Sequence, residues 1–418
     1  MTVNQLSWEG GGDVFPQVPF RRIFQPRKIT ALPEDEIVTA FTDGQVTFRS
    51  NRSKIGYHEA ADTSTYLRVN EGDFVVHGLD ILRGSVGVSD STGAISAVCT
   101  VCPPSEIALG RYVAYVIRIQ ALSGYTKALA RGIREGGADF RRWETLGELP
   151  ILLPSLREQN AIVDFLDSVT AKIDEAMELK ELQKKSVNDY FDALVRDKIL
   201  GETPSKMQPP TWAKHIGEGK TLIPLGRLVQ IRGEKNDPVT ITEILSLTAS
   251  RGVILYSDKG AIGNIASEDI SRYNIVRKGD VVVNSMNIII GSVGYSNYEG
   301  VLSPVYYVLK PLGQDLIDME YLAFHFRIRE FQRQLVRLGY GILDHRMRIP
   351  WINMKMQEII VPSLKEQKSI TSELRDLDES RLSALNSIDM SIKLLEEYKL
   401  SLITEYVTGK SRLEFKDV

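Results

Sequence analysis

Apolar positions along this chain follow two different periods. From Pro16 to about Leu149 they come in short runs separated by turn residues, Phe74-Val75-Val76 and Ile95 to Val101 among them. These runs predict β-strands, and one helix is predicted after them, from roughly Leu109 to Ala130. The same order returns with Val281-Val282-Val283 and Val301 to Leu309, then a helix from about Asp318 to Leu338. Strands first and a helix late predict an α+β globule rather than a doubly wound parallel sheet. After each globule the spacing changes to alternating threes and fours. Ile162, Leu166, Val169, Ile173, Ala176, Val187, Tyr190 and Leu194 mark the first stripe, with Lys180 and Gln183 mid-way. Ile370, Leu374, Leu377, Ala384, Ile388, Leu395, Tyr398 and Leu402 mark the second, with Arg381 and Ser391 as polar members. A stripe sustained this long needs a partner helix to cover it, and the shared register predicts that the two helices cover each other. A pair of about 40 residues would be about 60 Å long.

The chain is one unit written twice. Gly72-Asp73, Gly84-Ser85-Val86-Gly87, Ser89, Gly93 and Ser96 return 207 positions later as Gly279-Asp280, Gly291-Ser292-Val293-Gly294, Ser296, Gly300 and Ser303. Tyr112, Ala114, Arg118 and Ile119 return as Tyr321, Ala323, Arg327 and Ile328, and Pro154-Ser155-Leu156 with Glu158-Gln159 as Pro362-Ser363-Leu364 with Glu366-Gln367. A period this long is a duplicated domain pair and not a solenoid. The order globule, helix, globule, helix makes the helices an antiparallel coiled coil in an internal pseudo-dimer. The expected divisions are a first domain over 1–149, a first long helix over 150–202 and a Pro-rich linker over 203–215. A second domain over 216–358, a second long helix over 359–410 and a tail over 411–418 complete them. Ser155 and Ser363, each three residues before a Glu, predict capping boxes, and Gly201 and Gly409 predict the helix ends.

Charge changes this picture only through its distribution. The net charge is −3, but residues 13–148 carry 16 basic and 16 acidic side chains and residues 216–358 carry 17 and 15. The helical stretches are acidic, with 7 against 11 in residues 149–202 and 7 against 9 in residues 362–410, so the globules remain candidates for a polyanionic partner. The N-terminus has no basic segment leading into an apolar core, and no stretch of about 18 apolar residues follows, which predicts a cytoplasmic protein.

Catalytic signatures do not stand out. Gly217, Gly219, Lys220 and Thr221 resemble the end of a phosphate loop, but Lys214 stands where the first glycine belongs. Gln208-Pro209-Pro210-Thr211 lacks the Asn or Asp first and the aromatic last that hold a flipped base in amino-methyltransferases. Cys99 and Cys102 form a lone C-x-x-C without a second pair to complete a zinc site, so they are read as small buried strand residues. The five histidines are scattered. No catalytic, cofactor-binding or metal residue is assigned. What remains is a set of basic side chains placed alike in both copies. Arg329, Arg333 and Arg337 are spaced by four, and His345, Arg346 and Arg348 precede Trp351. In the first copy Arg118, Lys127, Arg131 and Arg134 lie in the corresponding stretch, with Arg141 and Arg142 before Trp143. Arg49, Arg52 and Lys54 lie in an earlier loop, matched by Arg251 and Lys259. Arginine can hold phosphates or read guanine, which makes these the candidate DNA-binding residues.

The repeated Gly-Asp and Gly-Ser-Val-Gly frame, the two Pro-Ser-Leu-x-Glu-Gln junctions and the ending Tyr406-Val407-Thr408-Gly409-Lys410 together resemble the specificity subunit of a Type I restriction-modification system, over nearly the whole chain. The resemblance implies a non-catalytic subunit with two target recognition domains, each reading half of an interrupted double-stranded DNA site, and helices that set the gap. It implies two modification subunits, which bring S-adenosylmethionine and methylate adenine. Restriction subunits, where present, would bring ATP and Mg for translocation and cleavage. A solitary DNA methyltransferase or a fused restriction enzyme, and a scaffold spacing two protein partners without DNA, are the other classes open to a two-headed chain.

Overall fold

Strands of three to five residues do not hold a fold unaided, and here tight turns and close backbone approaches hold them in both copies. The computed structural model describes residues 15–52, 65–129, 140–201, 204–259, 266–286, 288–313, 315–339 and 348–413. Residues 1–179 with 391–418 form one compact unit, and residues 180–390 form the other.

The first unit has β1 (Gln17–Pro19), β2 (Val38–Ala40), β3 (Val46–Phe48), β4 (Leu67–Val69), β5 (Phe74–His77), β6 (Val86–Val88), β7 (Gly93–Ile95) and β8 (Cys99–Cys102). Next come α1 (Gly110–Leu122), α2 (Tyr125–Leu129), α3 (Trp143–Leu146), β9 (Pro150–Leu152) and the start of α4 (Leu156–Leu200). β5 lies between β6 and β8, while β2 pairs with β3, β4 with β7 and β1 with β9, all antiparallel.

The second unit repeats this order. It has β10 (Thr221–Pro224), β11 (Val229–Ile231), β12 (Leu245–Thr248), β13 (Gly252–Leu255), β14 (Asn274–Val276), β15 (Val281–Val283), β16 (Val293–Tyr295), β17 (Gly300–Leu302) and β18 (Tyr307–Pro311). α5 (Met319–His325), α6 (Arg329–Val336), α7 (Trp351–Met354), β19 (Glu358–Val361) and α8 (Leu364–Val407) follow. Its sheet runs β11-β18-β15-β16, and β10 closes on β19 as β1 does on β9.

The repeated residues are the scaffold of these sheets. Gly72 and Gly279 take positive φ, 86° and 96°, and place Asp73 and Asp280 inside, where each carboxylate accepts the backbone N–H three residues earlier. Each buried carboxylate also pairs with an arginine, Arg27 with Asp73 and Arg232 with Asp280. A Cβ on Gly93 or Gly300 would strike the carbonyl oxygen of Glu36 or Glu243, and one on Gly294 would lie 2.7 Å from the Gly252 Cα. Glycine is required there because one backbone lies on another. At the junctions, Gln159 accepts the Leu109 N–H and donates to the Pro154 carbonyl, and Gln367 does the same for Asp318 and Pro362. The inner helix and the long helix therefore start from one shared side chain. Ser155 and Glu158 form a complete capping box, whereas Glu366 pairs with Lys220 instead.

The long helices are antiparallel partners. In the first unit Asp174 of α4 meets Lys399 of α8, and in the second Lys184 meets Asp389 and Lys198 meets Glu373, so one number rises as the other falls. The two mixed α+β globules, each followed by a long helix, thus have the predicted fold class. Four expectations change in detail. Each compact unit holds its own globule, the first part of its own long helix and the last part of the other one, because Ile403 and Val407 complete the first core while Val195 and Ile199 complete the second. Residues 150–152 and 358–361 are strands of the globules, and helix starts only at Leu156 and Leu364. The linker is not loose, since Trp212 is buried in the second core. Each late helix is broken, at Ser123-Gly124 where Gly124 takes φ 83°, and at Phe326–Ile328 where Ile328 turns extended.

The seam also departs from the expected stripe. Ile162, Leu166, Ile173, Ile370, Leu374 and Ile388 are buried, and Val169, Val187, Leu194, Leu377, Leu395 and Leu402 are half-buried. Tyr190 and Tyr398 are exposed, at 68% and 55%, and are not seam residues. Phe191, Val195 and Ile199, with Ile403 and Val407, are buried instead. A spacing of 3.5 drifts by about 20° per heptad on a helix of 3.6 residues per turn, and the globule takes over as the covering surface toward each C-terminus. Arg381, expected as a polar seam member, is buried with every arm used: it donates to Asp378 at 2.7 Å, Asn188 at 2.7 Å and the Ser250 carbonyl at 2.8 Å.

Candidate nucleic-acid interface

In each unit the central hairpin loop and the segment leading into the last short helix lie side by side. In the first, the loop between β5 and β6 runs from Gly78 to Ser85, and a Cβ on Gly78 would lie 2.9 Å from the Arg141 backbone nitrogen. In the second, the Ile349 N–H donates to the Ser285 carbonyl in the β15–β16 loop at 3.2 Å, and Tyr307 Oη donates to the Ile349 carbonyl. Trp143 packs edge-on against Phe20, and Trp351 lies tilted against Tyr307 at 6.2 Å, which anchors the segment just after the basic residues. Arg141 and Arg142 are therefore exposed from a fixed backbone, with Leu79 and Arg83 exposed on the neighbouring loop. Arg348 is exposed at the matching place, its guanidinium 5.8 Å from the Tyr307 ring.

The other candidates separate by their partners. Arg333 and Arg337 are exposed, Arg333 within α6 and Arg337 as its C-cap, whose N–H still donates to the Arg333 carbonyl. Arg329 is committed elsewhere: it pairs with Asp189 at 2.6 Å and Asp192 at 3.4 Å on α4, and Arg327 pairs with Asp192 at 2.9 Å. Arg52 pairs with Asp43 and lies over the Phe41 ring, and Arg49 donates to Thr39 Oγ1 at 3.2 Å, so both are drawn onto their own hairpin. Arg251 is exposed and donates to the Asp258 carbonyl, and Lys259 lies over Tyr256. Lys54, Arg131, Arg134, His345 and Arg346 lie outside the described residues. Sequence reasoning missed the two hairpin loops; the recurring Gly84 and Gly291 at their ends, both left-handed, were the available signal.

The remaining chemistry-bearing groups serve the fold. Cys99 and Cys102 are buried three apart on one strand and belong to different cores, since residues three apart point to opposite faces. Burial pushes both thiols up to about 12. Lys220 is buried between the ends of the two long helices, donating to the Lys198 carbonyl at 3.1 Å and pairing with Glu366 at 3.3 Å. Burial lowers its pKa, and its ammonium caps the C-terminus of α4, where a cation is favoured. A cavity of about 380 Å³ in the second unit is lined by Asn188, Asp192, Ser250, Arg327, Arg329 and Gln332 among others, and its charges are already paired. Among the described residues no helix is long and apolar enough to cross a membrane.

No family model matches the chain, and no curated protein matches it. Solved structures do. A chain from work on the complex assembly and conformational transition of the type I R-M system aligns with a TM-score of 0.64 at 14% identity, covering 95% of this chain and 98% of that one. The HsdS subunit from Thermoanaerobacter tengcongensis aligns at 0.43 and 14% identity, over 95% of this chain and 97% of that one. The S subunit of the Type I restriction-modification system from M. genitalium aligns at 0.36 and 13% identity, over 96% and 97%. At 14% identity the first likeness is one of fold, and it runs through both globules and both long helices of this chain.

Proposed function

We propose that this chain is the sequence-specific DNA-recognition subunit of a Type I restriction-modification complex, each globule reading one half of an interrupted site. The observation that carries this reading is the duplicated globule-and-helix order with antiparallel helix pairing, shared as a fold with a type I R-M chain over 95% of the sequence. A protein with two similar heads on paired helices suits a target with two separated halves. Arg141, Arg142, Arg348, Arg333 and Arg337 are exposed arginines, a residue type suited to phosphates and base edges. The chain itself is a reader in the cytoplasm. Adenine methylation belongs to two modification subunits with S-adenosylmethionine, and cleavage to restriction subunits with ATP and Mg where these exist. Exposed apolar side chains on the helices give such partners a surface: Leu179, Leu394 and Tyr398 in the first unit, Leu182, Tyr190 and Met390 in the second. Sequencing of methylated adenines in cells with and without the chain tests the reading. One bipartite motif is expected to lose its methylation when the chain is removed, and an unchanged pattern in cells that carry the modification subunits would overturn it.

A further inference from the structure

The two long helices repeat each other at an offset of 208 residues, but not in the chemistry of their mutual contacts. In the first unit Phe165 of α4 packs on Tyr406 of α8, ring centroids 4.6 Å apart, and Lys399 Nζ donates to the Asp174 carboxylate at 2.6 and 2.7 Å. In the second unit the equivalents of Phe165 and Tyr406 are Glu373 and Lys198, an ion pair at 2.6 Å. The equivalents of Asp174 and Lys399 are Leu382 and Phe191. Phe191 is buried, with the Arg327 and Arg381 guanidinium groups 5.0 and 5.1 Å from its ring centroid. At the first place one unit has an aromatic pair and the other an ion pair; at the second, the ion pair of the first unit is replaced by two residues without charge.

Pairing of like helices scrambles this pattern. Two α4 helices brought together in the same geometry would set Lys198 of each against Phe165 of the other, and Phe191 against Asp174. Two α8 helices would set Glu373 against Tyr406 and Lys399 against Leu382. Every such meeting sets a partly exposed charge against an apolar side chain in place of its counter-ion. We propose that these alternating contacts make the helix interface heterotypic: the partner that fits α4 is α8, and a second α4 is rejected. The first half of the chain is thereby directed to a second half and away from another first half. This does not depend on what the globules bind. If they read DNA as proposed, it prevents assembly of particles with two identical recognition domains, which would read symmetric sites.

The test uses the full chain, folded and then cut at a protease site placed between the exposed Lys206 and Met207. The cut protein is held in mild denaturant short of unfolding, returned to buffer, and its fragment pairs are weighed by native mass spectrometry. Like-with-like pairs are expected to be depleted about tenfold or more below a random 1:2:1 mixture. A chain with Asp174→Leu, Lys198→Tyr, Glu373→Phe and Lys399→Phe carries the same contacts in both units and is expected to approach the random mixture. Should that chain not fold, Lys198→Tyr with Glu373→Phe alone is read, with a partial rise expected. Random pairing by the unaltered chain, or no rise in a folded variant, overturns the proposal.

Discussion

Asp280 is buried against the half-buried Arg232 in the second unit, as Asp73 is against Arg27 in the first, and each pair holds a turn rather than a ligand. Removing the carboxylate leaves the Arg277 N–H without its acceptor and Arg232 with Glu234 alone, so Asp280→Ala is expected to cost about 1 to 3 kcal/mol in denaturant unfolding. His325 has no counterpart in the first unit, where Val116 stands at its position. It is buried as a neutral ring whose Nε2 accepts the Ile360 N–H at 3.2 Å, and burial holds its pKa down at about 3 against an ordinary 6.5. The unfolded chain takes up a proton below 6.5 and the folded one does not until about 3, so this residue's contribution is present above pH 6.5 and lost as pH falls. The expected slope is about 1.4 kcal/mol per pH unit within that window, and His325→Gln is expected to remove that increment from urea unfolding measured between pH 7.5 and 5. At the surface, Arg141→Ala, Arg142→Ala and Arg348→Ala separate two roles. Truncating an arginine that holds a phosphate lowers the salt slope of DNA binding by about one, and truncating one that reads a base costs about 1 to 3 kcal/mol at one position of the site. Unchanged affinity and slope in all three would move the interface to other residues.

On the helices, adjacent residues have opposite fates. Phe191 is 2% exposed and Tyr190 is 68% exposed, although the spacing favoured Tyr190 for the seam. Phe191→Ala is expected to cost about 3 to 5 kcal/mol, as truncation of a large core side chain does. Tyr190→Ala is expected to stay within about 0.5 kcal/mol, as a surface change does. Thermal and chemical unfolding of the two variants decides between the registers, and equal losses would restore the stripe expected from sequence. Tyr398 is likewise exposed while Ile403 and Val407 are buried, as Val195 and Ile199 are, so the shift belongs to the repeated design and not to one local accident. Helix existence was legible because three-four spacing persists for many turns. Which residue of a neighbouring apolar pair turns inward was not legible, because it depends on the globule packed beside the helix as well as on the partner helix.

For the whole molecule, the reach of the paired helices is the property that the proposed function uses. Four residues inserted between Leu179 and Lys180, matched by four between Met390 and Ser391, keep the pairs on either side in nearly the same phase and add about 6 Å of helix. With DNA rising about 3.4 Å per base pair, the gap in the methylated site is expected to grow by roughly two base pairs while both half-sites keep their sequence. Mapping of methylated adenines reads this directly. An active variant with its original gap would show that the helices do not set the spacing.

The sequence by itself determined the duplication, the α+β order of each copy and the two long amphipathic helices, because periods of two and of three to four record which faces are covered. It also marked the glycines and the Gly-Asp turns, although only the structure showed that they serve close backbone packing and buried charge. Tertiary structure alone decided that Arg329 faces Asp189 and Asp192, that Arg52 folds back on Asp43, and that Lys220 caps a helix instead of holding a phosphate. It alone decided that each core is finished by Ile403 and Val407 or by Val195 and Ile199 from the other copy's helix. The physical reason is the same in each case: local pattern records whether a side chain is covered, and only the approach of distant segments decides by what.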